Sequence, residues 1–137
     1  MKTFPDPPSA FDYVQSCIRT KGRGFLVNVV GPKDEINGYA ATLQVLDENQ
    51  IFQNGLFGFV IYLAFDTEPE TQESFELFKR YPRSVEFESI PTDDGIPCFA
   101  LRFGKDVTAL LDILSEVLQF VFGYPMLTAF KCDVYEC

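Results

Sequence analysis

The segment 106–123, DVTALLDILSEVLQFVFG, constrains the fold most, because it predicts a helix that is apolar over most of its circumference. Asp106 can cap its start, Gly123 can take the left-handed position beyond its last turn, and Pro125 prevents continuation. At about 100° per residue, the polar side chains within the helix fall in one narrow arc: Thr108, Asp112, Ser115, Glu116 and Gln119. A surface helix faces its core with a stripe of about 100° or somewhat more. This helix therefore needs cover on two sides, from a sheet and from a second layer.

The surplus apolar surface of this helix raises the question of which chain covers it. One hypothesis is that a second copy does so, through residues at the end of the helix and in the segment after it: Leu118, Val121, Phe122, Met126 and Phe130. The alternative is that these residues belong to the chain's own core. An acidic substitution separates the two hypotheses, because a charge is tolerated at a surface and is very costly in a core.

The charge balance argues against two classes of partner. Eleven Lys and Arg stand against twenty Asp and Glu, which gives a formal net charge of −9 at pH 7. A nucleic-acid binder carries a basic patch or stripe, and anionic membranes attract basic segments, so we expect neither partner. An acidic surface keeps a protein soluble and can attract a basic protein.

The absence of histidine removes much of the usual catalytic chemistry. With no His, the chain cannot form Ser–His or Cys–His nucleophilic pairs and lacks the commonest metal ligand. The four cysteines form no CxxC pair and show no metal spacing: Cys17, Cys98, Cys132 and Cys137. We therefore expect neither an enzyme nor a bound metal or cofactor.

The first residues, MKTFPDPPSA, contain no apolar stretch of the signal-peptide type. We therefore expect a soluble, cytoplasmic protein whose cysteines are reduced, although Cys132 and Cys137 can close a small loop if the tail meets an oxidant. Pro5, Pro7 and Pro8 make residues 1–8 a proline-rich leader without secondary structure.

The remaining periodicity predicts an α+β fold with the element order α-βββ-α-ββ-α-β. Further helices are predicted at 9–21 and 67–80, and strands at 25–30, 39–46, 56–65, 84–90, 98–103 and 126–135. The apolar run 56–65 indicates a central strand that is covered on both faces. The final strand is expected on an edge that another chain can reach. The whole chain, 1–137, is then a single domain, in which a mostly antiparallel sheet of about five to six strands packs with two to three helices.

Local patterns add detail to the first half of the chain. Ser9 is the predicted N-cap of the first helix, whose apolar face is Ala10, Phe11, Val14, Cys17 and Ile18. Residues 47–55 are predicted to form a polar loop with Ile51 and Phe52 pointing inward.

The second half offers a test of strand register. In the helix 67–80, Phe75, Leu77 and Phe78 are predicted to point inward.

In the hairpin that follows, placing Glu86 opposite Arg102 keeps the apolar side chains on one face. The same register sets Val85 opposite Phe103, Phe87 opposite Leu101 and Ser89 opposite Phe99.

Arg19, Lys21 and Arg23, with two intervening glycines, form the most basic spot in the sequence. Glycine amides beside cations can hold a phosphate or carboxylate, which makes these three residues a candidate anion site. The spot follows a helix and has no P-loop or GxGxxG spacing, so a helix C-cap is the competing interpretation. A second basic cluster, at 79–83, repeats the pattern.

Several other polar groups have both a functional and a structural interpretation. Asp93 and Asp94 precede a glycine but lack the ligand pattern of a calcium loop, which favours a hairpin turn. Asp112 and Glu116 lie one turn apart on the polar arc, where nothing drives their pKa values apart for acid–base work. The acidic group Glu68, Glu70, Glu73 and Glu76 can form either a surface that attracts a basic partner or a solvated helix N-terminus. Four tyrosines are candidates either for hydroxyl groups that line a pocket or for core residues with one hydrogen bond: Tyr13, Tyr39, Tyr62 and Tyr81.

Three functional classes are compatible with these patterns, and we expect the first: a non-catalytic protein-interaction or chaperone-like domain that acts as a homodimer. The element order up to the long helix, the small acidic chain and the expected dimer resemble the class I chaperones of type III secretion. That resemblance concerns topology alone, and the strand after Pro125 departs from it. The second class is an acidic inhibitor or immunity-type protein that binds a basic target. The third is a small-molecule-binding domain with a pocket between the sheet and the long helix.

Overall fold

The computed structural model describes residues 2–21, 25–30, 42–66, 69–123 and 131–135, and within them it has one antiparallel sheet of seven strands. The strands are β1 (Lys2–Phe4), β2 (Leu26–Val30), β3 (Thr42–Asp47), β4 (Phe59–Ala64), β5 (Glu88–Ile90), β6 (Cys98–Gly104) and β7 (Lys131–Tyr135). The helices are α1 (Pro7–Lys21), α2 (Glu48–Phe52), α3 (Pro69–Arg80) and α4 (Val107–Phe120), with a 3-10 helix at Pro82–Glu86. The predicted single-domain α+β fold is confirmed, with more strands than expected.

The strand order is β1-β7-β2-β3-β4-β6-β5, and every neighbouring pair is antiparallel. The predicted hairpin of β2 and β3 is confirmed, with Leu26 opposite Leu46, and β4 lies inside the sheet as expected. The predicted strand segments 39–41 and 126–130 lie outside the described residues.

Two predictions about the ends of the chain are wrong. Residues 2–4 of the predicted leader form β1. β7 is an inner strand, because β1 pairs with its outer side and places Thr3 opposite Asp133. The edges of the sheet are therefore β1 and β5, with three residues each. Such short edge strands limit pairing with another chain.

The first helix begins before Ser9, at Pro7. The backbone N–H of Ser9 donates to the Asp6 carboxylate at 2.9 Å. Asp6 is therefore the N-cap, and the two prolines take the first two helical positions, where a missing N–H costs no helical hydrogen bond. The predicted apolar face is otherwise confirmed, since its members with described side chains are buried: Ala10, Phe11, Val14 and Cys17.

The core lies on one face of the sheet. Alternate residues of the inner strands, such as Val27, Val45 and Ile61, join side chains of α1, α3 and α4 in one buried cluster. The long helix is capped as predicted, because Asp106 accepts the N–H of Ala109 at 3.0 Å and Gly123 has φ 75°. Its apolar sides pack on the sheet, on α1 and on α3. The second layer that this helix requires therefore comes from its own chain.

The opposite face of the sheet carries only the short helix α2 among the described elements. Arg102, which lies opposite Val60 on this face, stacks on Phe52 of α2 with 3.6 Å between its guanidinium carbon and the ring centroid. Val60 is buried at this end of β4, whereas Tyr62 and Ala64 are partly exposed. Ala100 and Cys98, which lie opposite Tyr62 and Ala64 on the same face, are nevertheless buried. We call this side of the sheet the open face.

The predicted polar loop 47–55 is wrong, since its first half forms α2. Ile51 and Phe52 are half-buried, as expected for the inner side of this helix, and Asp47 and Glu48 are buried. Its C-cap is Gln53, a non-glycine residue with a left-handed backbone (φ 50°).

The predicted strand 84–90 forms only at its end. Pro82 opens a 3-10 helix, and Arg83 binds Glu86 at 2.6 Å within it, which keeps this stretch out of the sheet. The predicted register is right where the strands do pair, with Ser89 opposite Phe99. The predicted pairing of Glu86 with Arg102 is wrong, because Glu86 lies in the 3-10 helix and not in the sheet.

Two cysteines carry free thiols and are buried, Cys98 and Cys132. Burial raises the pKa of Cys132 to about 12, and the small loop through this residue is not formed. Cys17 is disulfide-bonded, contrary to the expectation that all cysteines are reduced. The cytoplasmic location stays a prediction.

Candidate functional site

The structure places the predicted interface residues in different environments. Leu118 and Val121 are buried in the chain's own core, so they are not available to a second chain in this fold. The N–H of Val121, the C-cap residue of α4, donates to the carbonyl of Val117 at 2.9 Å, so the helical backbone continues through Val121. Phe122 is partly buried against the same core. Met126 and Phe130 lie outside the described residues.

The exposed apolar surface lies next to that prediction, at the last residue of α4. Phe120 is 54% exposed and lies nearly parallel to the ring of Tyr81, with 5.9 Å between centroids and 18° between planes. Leu77, one turn before Tyr81, is 37% exposed, so the prediction that it points inward is wrong. Val85, in the 3-10 helix, is 86% exposed. We call these four residues, where α3, the 3-10 helix and α4 meet, the Phe120 corner.

Polar contacts hold this corner in place. The Tyr81 hydroxyl donates to the Glu116 carboxylate at 3.1 Å. Arg83 donates to Glu86 through two hydrogen bonds of 2.6 and 3.1 Å, and its Nη1 lies 3.8 Å from Glu116. Burial, with Glu116 beside it, raises the pKa of Tyr81 well above its ordinary value, so the hydroxyl remains a donor. The hydrogen bond from Arg83 lowers the pKa of Glu86, so this carboxylate stays ionised.

The open face of the sheet is a second candidate surface. One row of aligned residues crosses all seven strands: Thr3, Asp133, Asn28, Gln44, Tyr62, Ala100 and Glu88. Thr3 donates to Asp133 at 2.8 Å, and Gln44 donates to Asn28 at 2.7 Å. A row of polar side chains is what an antiparallel sheet presents to water. The row is only partly solvated, because Ala100 is completely buried and Asn28, Gln44 and Tyr62 are half-buried.

The basic residues do not gather into an anion site within the described residues. Among the predicted set, the side chains of Arg19 and Lys21, and all of Arg23, lie outside the described part of the chain. In the second cluster Lys79 pairs with Glu76 at 2.6 Å, and Arg83 is held by two carboxylates. On the open face the guanidinium of Arg102 is likewise shared between Glu88 at 3.1 Å and Glu48 at 3.6 Å.

The acidic and phenolic candidates are also dispersed. Of the four glutamates 68, 70, 73 and 76, the side chains of the first two lie outside the described residues. Asp94 accepts the N–H of Ile96 at 3.1 Å in the predicted hairpin turn. Tyr62 lies on the open face, where burial and the neighbouring Cys98 raise its pKa well above the ordinary value. Tyr13 packs near Phe4 at 5.2 Å, and Tyr39 lies outside the described residues.

Few polar side chains are buried within the described part of the chain. They are Asp47, Glu48 and Thr71, and no three acidic or cysteine side chains among the described residues come together as a metal site. The space between the sheet and α4 is occupied by one apolar cluster. In the same part of the chain, no helix has the length and apolarity that crossing a membrane requires.

Asp47 is the most buried of these carboxylates, at 1% exposure, and it anchors the loop between α2 and β4. Its Oδ1 accepts the N–H of Gly58 at 3.2 Å, and the carbonyl of Gly58 accepts the N–H of Glu48 at 2.9 Å. A Cβ at Gly58 would lie 3.0 Å from the carbonyl oxygen of Gly104, so the loop closes tightly on β6. The role of Asp47 is therefore structural.

We expect Asp47→Ala to lower the free energy of unfolding by about 1–3 kcal/mol, because it leaves the N–H of Gly58 without its acceptor. Asp47→Asn keeps an acceptor oxygen and should cost less. Burial raises the pKa of Asp47 above 3.8, so the folded chain keeps this proton where the unfolded chain has lost it. Ionisation of Asp47 therefore lowers stability as the pH rises through that window.

Urea denaturation of the wild type and the two variants at about pH 4 and about pH 7 measures both effects. The Asn variant should gain stability relative to the wild type at the higher pH. A relative loss at the higher pH would mean that the ionised carboxylate is stabilising and that this assignment is wrong.

Phe120 and Val85 were missed in the sequence for two different reasons. Phe120 falls about 40° beyond Glu116 on the helical wheel, at the border of the polar arc. That border position was the signal from which its exposure could have been predicted. Val85 was assigned to a strand on the basis of its alternation with polar residues. No signal in the sequence contradicted that assignment, because the 3-10 helix depends on contacts between Arg83, Glu86 and α4.

No protein-family model, no curated protein and no solved structure matches the chain. The resemblance in element order to the class I chaperones therefore gains no support from these comparisons.

Proposed function

We propose that this protein is a non-catalytic protein-interaction domain that works as a homodimer. The observation that carries the proposal is the exposure of Phe120, a large aromatic side chain at the end of a helix whose other apolar side chains are buried or half-buried. Aromatic side chains are enriched in protein–protein interfaces. An exposed apolar residue is common on any surface, but here Leu77 and Val85 are exposed on the elements that meet at the same corner.

Three further observations support a binding role over a catalytic one. The chain has no His. Of the three buried polar side chains among the described residues, Asp47 is accounted for by its hydrogen bond to the Gly58 N–H and Glu48 by its ion pair with Arg102, whereas the Thr71 hydroxyl has no hydrogen-bond partner. The described side chains between the sheet and α4 belong to one buried apolar cluster.

The molar mass in solution tests this proposal directly. We expect light scattering to give twice the chain mass of 15.6 kDa, unchanged over about a hundredfold range of protein concentration. Far-UV circular dichroism of the same samples checks that the chain is folded. A folded monomer at every concentration would refute the homodimer.

A further inference from the structure

We infer that Cys17 forms its disulfide with Cys137, and that this bond is a redox-sensitive clamp on one side of the sheet. Cys17 is disulfide-bonded, and the sequence contains four cysteines. Cys98 and Cys132 carry free thiols, so Cys137 is the cysteine that is left as the partner. Cys137 itself lies outside the described residues. The bond goes beyond the proposed homodimer and does not depend on it.

The course of the chain around α1 agrees with this pairing. Phe4, the last residue of β1, lies opposite Cys132 near the start of β7, and α1 follows two residues later. After α1 the chain continues into β2, whose first residue, Leu26, lies opposite Tyr135 at the end of β7. α1 therefore begins near the start of β7 and leads towards its end. Cys17 lies one turn before the last residue of α1, on the side of β7 from which the chain runs on to residue 137.

The bond is also within reach. α1 contacts β7, and Cys17 is 5% exposed on the buried face of α1. The two residues from Tyr135 to Cys137 span at most about 7 Å, and the Cα atoms of bridged cysteines lie about 4.4–6.8 Å apart. Together these lengths exceed the distance of about 10 Å between packed layers of secondary structure.

The position of β7 in the sheet gives the bond its consequence. β7 lies between β1 and β2, and β1, at the edge, has β7 as its one neighbouring strand. A bond that holds the end of β7 against α1 therefore supports β1 as well. The bond joins residues near the two ends of the sequence, and closing so long a loop removes much of the conformational entropy of the unfolded chain.

Formation of the bond needs an oxidant, for which a low-molecular-weight disulfide such as oxidised glutathione is sufficient. The thiolate of one cysteine attacks a sulfur of the reagent and releases one reduced thiol. The second cysteine then attacks the mixed disulfide, forms the bond between Cys17 and Cys137, and releases the other thiol. Two electrons pass to the reagent, together with two protons. A dithiol reductant reverses both steps, and the stability of the β1–β7 side therefore follows the redox conditions.

Peptide mapping of the full chain tests the pairing. The protein is equilibrated with oxidised glutathione, its remaining thiols are blocked with N-ethylmaleimide in denaturant, and the chain is cleaved before aspartate residues. This cleavage places Cys17 in fragment 12–33 and Cys137 in fragment 133–137, which does not contain Cys132. We expect these two fragments to be joined, with N-ethylmaleimide on Cys98 and Cys132. Four blocked cysteines, another pair, or glutathione left on Cys17 would overturn the assignment, as would a band of twice the chain mass on a non-reducing gel.

Thermal unfolding tests the clamp. We expect dithiothreitol to lower the Tm of the oxidised wild type by about 10 °C, the effect of a typical structural disulfide in a domain of this size. Cys137→Ser cannot form the bond and should have the same Tm with and without the reductant. The matched control, Cys98→Ser, should keep the difference. A wild-type Tm that the reductant leaves unchanged, or an equal drop in Cys137→Ser, would refute the clamp.

Amide hydrogen exchange shows where the bond acts. In the reduced protein we expect faster exchange in β1 and β7, while β4, in the middle of the sheet, keeps its protection. Equal acceleration in all three strands would mean that the bond does not act on the β1–β7 side. Light scattering decides the homodimer separately, because either oligomeric state is compatible with the bond.

Discussion

Val121→Asp is expected to leave the chain unfolded. Val121 is fully buried in the core cluster, although it lies one residue beyond the end of α4 and was a candidate for an interface. The substitution removes the apolar contacts of the valine and places a carboxylate where no partner is available, which costs roughly 5 kcal/mol or more in total. A domain of this size has a free energy of unfolding of about 5–15 kcal/mol. The loss therefore consumes most or all of its stability.

Circular dichroism and a urea titration measure this effect. Gln119→Asp is the matched control, because it adds the same side chain two residues earlier at an exposed position. The control should unfold within about 0.5 kcal/mol of the wild type. A soluble, folded Val121→Asp monomer would show that this residue faces a partner chain, as the sequence alone allowed.

Leu114→Ala is expected to lower the free energy of unfolding by about 2–5 kcal/mol, the range for a leucine removed from a packed core. Leu114 is completely buried in the middle of α4, on the side opposite its polar arc. The prediction tests the conclusion that this helix is covered by its own sheet and by its neighbouring helices, whatever the oligomeric state of the protein.

Leu56→Ala is the matched control for this prediction, because the same chemical change is made at an exposed leucine. It should cost less than about 0.5 kcal/mol. Equilibrium denaturation in urea gives both values on one scale. Equal losses at the two positions, or a small loss at Leu114, would contradict the assignment of α4 to the core.

The elements whose signals are local were predictable from the sequence. Asp106 and Gly123 mark the ends of α4, and both act as predicted because caps depend only on residues within one turn. The hairpin register that sets Ser89 opposite Phe99 follows from the alternation of apolar side chains, since a slip by one residue would turn the core face outward.

The burial of Leu118 and Val121, two of the five predicted interface residues, was not predictable because the helical wheel does not say what covers each side of a helix. Leu118, Val121 and Phe120 all fall in the apolar part of the wheel, yet the first two are buried and the third is exposed. The difference depends on where α1, α3 and the sheet end along the helix. Those positions are set by the packing of the whole chain.

What the sequence determined by itself is therefore the set of helices and strands with regular periodicity, the antiparallel hairpins, the acidic charge and the absence of histidine chemistry. Only the tertiary structure decided that residues 2–4 form a strand, that β7 lies inside the sheet, and that 82–86 turn into a 3-10 helix. The tertiary structure also decided that Phe120 is left exposed on Tyr81. Each of these depends on contacts between residues far apart in the chain, such as Thr3 with Asp133 and Tyr81 with Glu116. Local periodicity carries no information about such contacts.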